Sequence, residues 1–182
     1  MLRGLLAVFV GAFAGSASAA PPRALIFTKT ATFRHDSIPT AIAALQRVAA
    51  EQGMQADATE DASAFTPQNL ARYRVVIFAS TTGDVLDAEQ QKAMEDFVNA
   101  GGGFMGVHSA GDTEYDWPWF GRVGGGYFRS HPPGLQTTRV RFDRDGIAEQ
   151  GREWEITDEI YNYRDNPRGR VQVIATVDER GY

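Results

Sequence analysis

Three short apolar runs constrain the fold of this chain most strongly. Each run is followed by a loop, and the first two loops lead into a stretch with helical spacing. The runs cover residues 24–28, 74–80 and 104–108. Unbroken apolar runs of this length are typical of parallel strands that are buried on both faces. Strands that alternate with helices at this spacing predict a doubly wound α/β fold with right-handed crossovers. We therefore expect a mostly parallel sheet with helices on both faces.

Capping residues and glycines mark where the helices should begin and end. Asp36 or Ser37 is expected to cap a first helix that ends at Gly53. Asp87 and Gln90 form a capping-box pair at the start of a later helix. Four further elements are expected: a strand at 55–59, a short helix opened by residues 66–67, an exposed strand at 137–142 and a last apolar strand at 171–176.

A glycine-rich turn follows the third apolar run and presents a histidine. The chain passes from three glycines at 101–103 through a short strand to His108, which small residues surround. Small residues allow other backbone segments to approach closely. Turns of this kind place a reactive side chain at the carboxyl edge of a parallel sheet. We interpret this turn as the floor of a pocket.

Several polar side chains should meet at that edge. In the flavodoxin-like strand order the first, third and fourth strands lie side by side, and ligands bind beyond their carboxyl ends. The loops that follow these strands carry a common set of titratable side chains: His35, Asp84, His108, Asp112 and Glu114. The sequence thus predicts that residues distant along the chain converge.

Three chemistries could use such a set. Histidine and carboxylate groups can exchange protons as general acid and base. Two or three histidines with a carboxylate can instead hold a divalent metal and leave a position open. The polar groups can also simply hydrogen-bond a sugar, with Tyr115, Trp117 and Trp119 offering apolar faces. The residues alone leave these alternatives open.

Each of these side chains also has a purely structural interpretation. His108 and His35 could be satisfied structural histidines, and His131 could anchor a loop before two prolines. The tryptophans could be packing anchors. Asp158 and Glu159 could cap a turn. The sequence contains no H-E-x-x-H motif and no phosphate-binding glycine motif, so neither a metalloprotease nor a P-loop protein is indicated.

Composition excludes several classes of function. A chain of 182 residues can form one domain with a sizeable core. Its formal net charge of −5 argues against a surface that follows nucleic-acid phosphates, so we expect no nucleic-acid partner. The absence of cysteine excludes disulfides, thiolate nucleophiles and cysteine metal sites. The oligomeric state is left open.

The first nineteen residues have the pattern of a secretory signal peptide. Arg3 supplies the positive charge, residues 5–13 form an apolar core too short to span a bilayer, and residues 17–19 read Ala-Ser-Ala. We expect cleavage near Ala19, so that residues 20–182 form the mature domain. The protein is expected to be secreted or periplasmic, with no membrane association beyond export.

Five ordered motifs resemble the ThuA-like (trehalose utilisation) family. They are Gly-Gly-Gly-Phe-Met-Gly-Val-His-Ser-Ala at 101–110, Thr-Glu-Tyr and Trp-Pro-Trp within 113–119, Gly-Gly-Tyr-Phe with His-Pro within 125–132, Thr-Asp-Glu-Ile-Tyr-Asn at 157–162, and Thr-Lys-Thr with Phe-Arg-His within 28–35. The resemblance covers essentially all of residues 20–182. It implies a class I glutamine amidotransferase-like fold, which is a flavodoxin-like three-layer α/β/α sandwich.

The resemblance also places His108 at a particular position. Class I amidotransferases carry a cysteine at a Gly-x-Cys-x-Gly elbow, and the matching residues here are Gly106-Val107-His108-Ser109-Ala110. Without cysteine, glutamine hydrolysis through a thioester is excluded. Ser109 lies one position from the apex of the elbow. Members of the family usually continue with a further strand and helix, which this chain is expected to lack.

The family's association with sugar catabolism implies an activity on a carbohydrate, namely trehalose, a related disaccharide or its 3-keto derivative. The alternative is a non-catalytic carbohydrate-binding or interaction module. We take the site from the matching motifs. The expected catalytic residues are His108, Asp112, Glu114 and His35, and the expected substrate-binding residues are Tyr115, Trp117, Trp119, His131, Asp158 and Glu159. If a divalent metal is bound, His35, His108 and His131 are its expected ligands.

Overall fold

Four parallel strands form the main sheet of the protein. A computed structural model describes residues 20–143 and 151–181, so the predicted signal segment 1–19 lies outside the described residues. The strand order is β2-β1-β3-β4, with every neighbouring pair parallel. This order places the first, third and fourth strands side by side, as predicted. The strands are β1 Arg23–Phe27, β2 Gln55–Thr59, β3 Val75–Ala79 and β4 Gly103–Val107.

Helices cover both faces of this sheet. On one face, Phe27 and Phe78 are fully buried against Leu70, Met94 and Phe120 from three helices. On the other face, alternate residues of the same strands pack against the first helix. Burying one such aromatic or aliphatic side chain contributes about 1.5–3 kcal/mol. The flavodoxin-like sandwich is therefore confirmed. The helices are α1 Ile38–Glu51, α2 Pro67–Leu70, α3 Ala88–Asn99 and α4 Pro118–Gly124.

All three predicted helix starts are confirmed, and two of them have the side-chain capping bond. Asp87 and Gln90 form the complete capping box of α3, and Thr66 accepts a hydrogen bond from the Asn69 amide at the start of α2. Ser37 stands at the N-cap position of α1 but makes no side-chain capping bond. A proline in the first turn of α1 lacks an amide hydrogen, so fewer donors need a cap there.

The second half of the described chain forms two small antiparallel sheets. One has the order β7-β6-β9 and the other pairs β5 with β8. The predicted last strand at 171–176 is wrong in its position, because Val171 and Ile174 are exposed and the strand covers only Ala175–Val177. The strands are β5 Phe128–Ser130, β6 Gln136–Phe142, β7 Glu153–Asp158, β8 Asn162–Tyr163 and β9 Ala175–Val177.

Gly102 shows why the glycine run before β4 is needed. A methyl group at Gly102 would lie 2.4 Å from the ring of Phe97 on α3. We expect Gly102→Ala to lower the free energy of unfolding by about 1–3 kcal/mol because of this overpacking. Urea unfolding followed by circular dichroism measures the effect. Gly124→Ala is the matched control, since a methyl group there meets nothing within 4 Å. Equal stability of the two variants would contradict the prediction.

Candidate functional site

Hydrogen bonds between backbone atoms join three loops at the carboxyl edge of the sheet. The Ala31 amide donates to the Thr82 carbonyl at 2.7 Å, which joins the loop after β1 to the loop after β3. The Gly83 amide donates to the Asp112 carbonyl at 2.8 Å, which joins the loop after β3 to the turn after β4. The three loops are therefore held together at the carboxyl edge of the strands, where doubly wound sheets bind their ligands.

His108 leaves the strand and opens a strained turn. The expected strand 104–108 ends one residue earlier, at Val107, and His108 starts a 3-10 helix with a φ of +51°. L-residues avoid this left-handed region, although histidine and asparagine tolerate it better than most. The turn needs small neighbours, because a methyl group on Gly106 would lie 3.2 Å from the Cβ of Ala110. The elbow geometry thus exposes His108 at the sheet edge.

All three histidines of the sequence converge on one carboxylate, that of Glu159. Nε2 of His35 and Nε2 of His108 each lie 3.5 Å from the Oε2 atom of Glu159. Nε2 of His131 lies 3.9 Å from its Oε1 atom. The centroids of the His35 and His108 rings are only 4.6 Å apart. Residues from four separate segments of the chain therefore form a single histidine–carboxylate cluster.

An aromatic side chain that sequence reasoning missed packs against this cluster. The ring of Tyr161 lies 4.8 Å from the ring of His108 and stacks on His131 at 5.7 Å. It also contacts Phe128 at 4.3 Å. Burial raises the pKa of Tyr161, so its hydroxyl stays protonated. Its place in the motif at 157–162, two residues after Glu159, was the signal that could have identified it.

Hydrogen bonds on the far side of two rings orient them toward Glu159. Nδ1 of His131 lies 2.8 Å from the Pro132 carbonyl, which can only accept, so Nδ1 carries the proton. Nδ1 of His35 lies 3.4 Å from the hydroxyl of Ser109. In both rings Nε2 faces the carboxylate. This arrangement resembles the outer partners that orient catalytic and metal-ligating histidines.

Burial favours the neutral form of His108. It is the largest effect that lowers the pKa of this residue, and the charge of His35 lowers it further. Asp158 and Glu159 act in the opposite direction without reversing the shift. A neutral imidazole has a free lone pair. His108 can therefore accept a proton or bind a cation at neutral pH.

A cavity of about 290 Å³ opens beside the cluster, between β4 and the antiparallel strands. Its volume is near the lower end of the roughly 300–1,000 Å³ of small-molecule sites. Among the described residues that line it there is no lysine or arginine. Its polar lining comes from His108, Asp158, Glu159, Tyr161 and Tyr163, and its apolar lining from Phe104, Phe120, Ile156, Ile160 and Val177. A larger cavity of about 320 Å³ between α2 and α3 has no histidine in its lining.

Asp112 and Tyr115 lie beside the cluster and contact each other. The Tyr115 hydroxyl is shared between the Asp112 carboxylate and the Phe128 carbonyl. The guanidinium of Arg164 lies 4.1 Å from the centre of the Tyr115 ring. Burial, followed by the bond to Asp112, raises the pKa of Tyr115. These two residues therefore support the site and do not belong to the histidine cluster.

Glu114 does not join the histidines. It is only 1% exposed, and its Oε1 atom accepts bonds from the amides of Val85 and Leu86, each at 2.8 Å. Its Oε2 atom accepts from the side chain of Gln91 at 2.7 Å. Both carboxylate oxygens thus hold the loop before α3. For this reason we do not propose Glu114 as a catalytic residue.

Neither of the two tryptophans predicted to bind substrate lies on the cavity: Trp117 is buried in the core and Trp119 is partly buried against it. Trp117 is 8% exposed and stacks on Trp119 at 4.8 Å and on Phe120 at 5.7 Å. Neither tryptophan lines the cavity beside His108. The structure therefore does not bring these two indoles to the cavity, because Trp117 is buried and Trp119 stacks on it.

The remaining predicted residues take supporting positions. Asp158 lines the cavity, and its carboxylate accepts a bond from the Glu159 amide at 2.8 Å. Ser109 is fully buried against Thr113 and His35, which gives no support to a nucleophilic role. Asp84 is exposed.

The fold and the site together define a class: a flavodoxin-like α/β protein with a histidine at the turn that follows its fourth parallel strand. The sequence model of the ThuA family, described as trehalose utilisation, matches residues 23–182. The chain belongs to this family.

Two solved structures share the fold. A protein of Bacteroides uniformis described as ThuA-like is 22% identical to this chain, and the two structures have a TM-score of 0.74. The match covers 94% of this chain and 74% of that chain. A protein of Parabacteroides merdae described in the same way is 17% identical, with a TM-score of 0.67. The match covers 86% of this chain and 68% of that chain. No curated protein matches the sequence. Within the described residues, no helix combines the length and apolar character needed to cross a membrane.

Proposed function

We propose that this protein is a sugar-acting enzyme in the utilisation of trehalose, a related disaccharide or its 3-keto derivative. One observation carries the proposal: all three histidines meet the carboxylate of Glu159 at the mouth of a cavity. A purely structural histidine would not need two others and a shared acid. Membership of the trehalose utilisation family supports the substrate class.

The chemistry of the cavity fits an uncharged sugar. Asp158, Glu159 and the tyrosine hydroxyls offer hydrogen-bond partners for sugar hydroxyl groups. Aromatic and aliphatic side chains offer apolar surface for the ring faces. No cationic side chain among the described lining residues is placed to neutralise a phosphate. His108 and Glu159 are the central pair that exchanges protons with the sugar.

Turnover assays on trehalose, other disaccharides and their 3-keto forms test this proposal. We expect the wild-type protein to convert one of these sugars and Glu159→Gln to reduce kcat at least about 100-fold, because the amide cannot take a proton. Glu155→Gln is the matched control, since this exposed carboxylate lies on β7, the strand that precedes Glu159, and does not line the cavity. Its kcat should be unchanged.

Two outcomes would overturn the proposal. Full activity in Glu159→Gln would remove the carboxylate from the reaction. Sugar binding without any turnover, measured by calorimetry, would identify a non-catalytic binding module instead.

A further inference from the structure

The structure assigns a divalent transition-metal site to Nε2 of His35, Nε2 of His108 and Oε2 of Glu159. These three ligand atoms all lie within 4.8 Å of one another. Two imidazoles and one carboxylate are the ligand set of several catalytic zinc and iron sites. The inference deepens the proposed function of the same site, and the role of the metal in turnover rests on that function.

The distances in the cluster suit a shared cation better than direct hydrogen bonds. Each histidine Nε2 lies 3.5 Å from Oε2 of Glu159. Hydrogen bonds between nitrogen and oxygen are normally 2.7–3.2 Å long. Two ligands at about 2.0–2.1 Å from a tetrahedral metal are about 3.3–3.4 Å apart. The two distances between histidine and carboxylate are therefore already close to the spacing of metal ligands.

The orientation of the His35 ring supports the same conclusion. Nδ1 of His35 faces the buried hydroxyl of Ser109, which can accept its proton. The lone pair then lies on Nε2, which points at Glu159. Metal-ligating histidines almost always have such a partner on the other ring nitrogen. Ser109 is the positioning residue of His35 in this interpretation.

The surroundings favour a catalytic site over a closed structural one. His108 and Glu159 both line the cavity, so one side of the cluster is open to a ligand. His131 lies near the other carboxylate oxygen, at 3.9 Å, and outside the group of three. Nitrogen donors select zinc or another first-row transition metal over magnesium and calcium. Such an ion polarises a sugar oxygen or activates water.

Calorimetric titration with Zn²⁺ after chelator treatment tests the inference. We expect one equivalent of Zn²⁺ to bind to the wild-type protein and to raise its Tm. Affinity should fall at least about 100-fold in Glu159→Gln and His108→Asn. Co²⁺ substitution adds a second readout, because its visible absorption reports nitrogen ligands and coordination number. Glu155→Gln is the control and should bind as the wild type does.

Each result decides the inference without reference to sugar turnover. Far-UV circular dichroism first establishes that each variant is folded, and asparagine is chosen at 108 because it tolerates the positive φ. Absence of stoichiometric Zn²⁺ binding, or equal affinity in both site variants and the control, overturns the metal site. Neither outcome affects acid–base catalysis by the same residues. Absent turnover with intact Zn²⁺ binding would count against the proposed function alone.

Discussion

Replacing His108 by asparagine should lower kcat for the sugar substrate about 1000-fold while the protein remains folded. General acid–base catalysis by a positioned side chain contributes roughly 10²–10⁴-fold, and asparagine cannot take up a proton. Asparagine is also among the residues that best tolerate the left-handed backbone at this position, where φ is +51°. Steady-state kinetics and thermal unfolding of the same preparation measure both effects.

His108→Ala separates the chemical effect from the conformational one. Alanine should show the same loss of kcat and a lower stability than asparagine, because alanine lacks the short polar side chain that lets asparagine tolerate this left-handed φ. An asparagine variant with wild-type kcat would exclude His108 from the reaction. A loss of kcat only in the alanine variant would show that turnover depends on the backbone conformation at residue 108 and not on proton uptake by the His108 side chain.

Replacing Glu114 by alanine should destabilise the protein by roughly 2–4 kcal/mol, the largest effect on stability that we expect. Two backbone amides and the Gln91 side chain would lose their acceptor inside a buried region. Glu114→Gln is the matched control, since its amide oxygen can still accept from both backbone amides. Chemical denaturation should rank the variants as wild type, then glutamine, then alanine. Equal stability of alanine and glutamine would contradict this role.

The pH dependence of stability gives Glu114 a second, independent readout. Burial raises the pKa of this carboxyl group, against the hydrogen bonds from Val85, Leu86 and Gln91. A raised pKa in the folded state means that its stabilising contribution is full below the ordinary glutamate pKa and is lost as the pH rises through the folded-state value. Denaturation at a series of pH values should show this slope in the wild type and not in Glu114→Gln.

The parallel half of the fold could be predicted because local patterns define it. The apolar runs at β1 and β3 and the capping box of Asp87 each reflect interactions within a few residues along the chain. The strand order then follows from the general rules for doubly wound sheets. The last strand was misplaced because its apolar residues Val171 and Ile174 are exposed, so hydrophobicity alone gave the wrong position.

The cluster could be predicted only in part. Strand order brings His35 and His108 to the same edge, which sequence reasoning anticipated. The central place of Glu159 depends on how the segment after β7 docks on the parallel sheet, and no local periodicity encodes that docking. In loops, side-chain direction is set by tertiary contacts. For that reason Glu114 and Trp117, although adjacent to the elbow in sequence, point into the core.

The contribution of Glu159 from the antiparallel half of the chain has a further consequence. His35 and His108 follow strands of the parallel sheet, whereas Glu159 follows β7. A ligand bound between them would contact both the parallel sheet and the antiparallel part of the chain. The free energy of its binding would therefore add to the stability of the folded state. Substitutions that move β7 relative to the parallel sheet should therefore weaken ligand binding, because they displace Glu159 from His35 and His108.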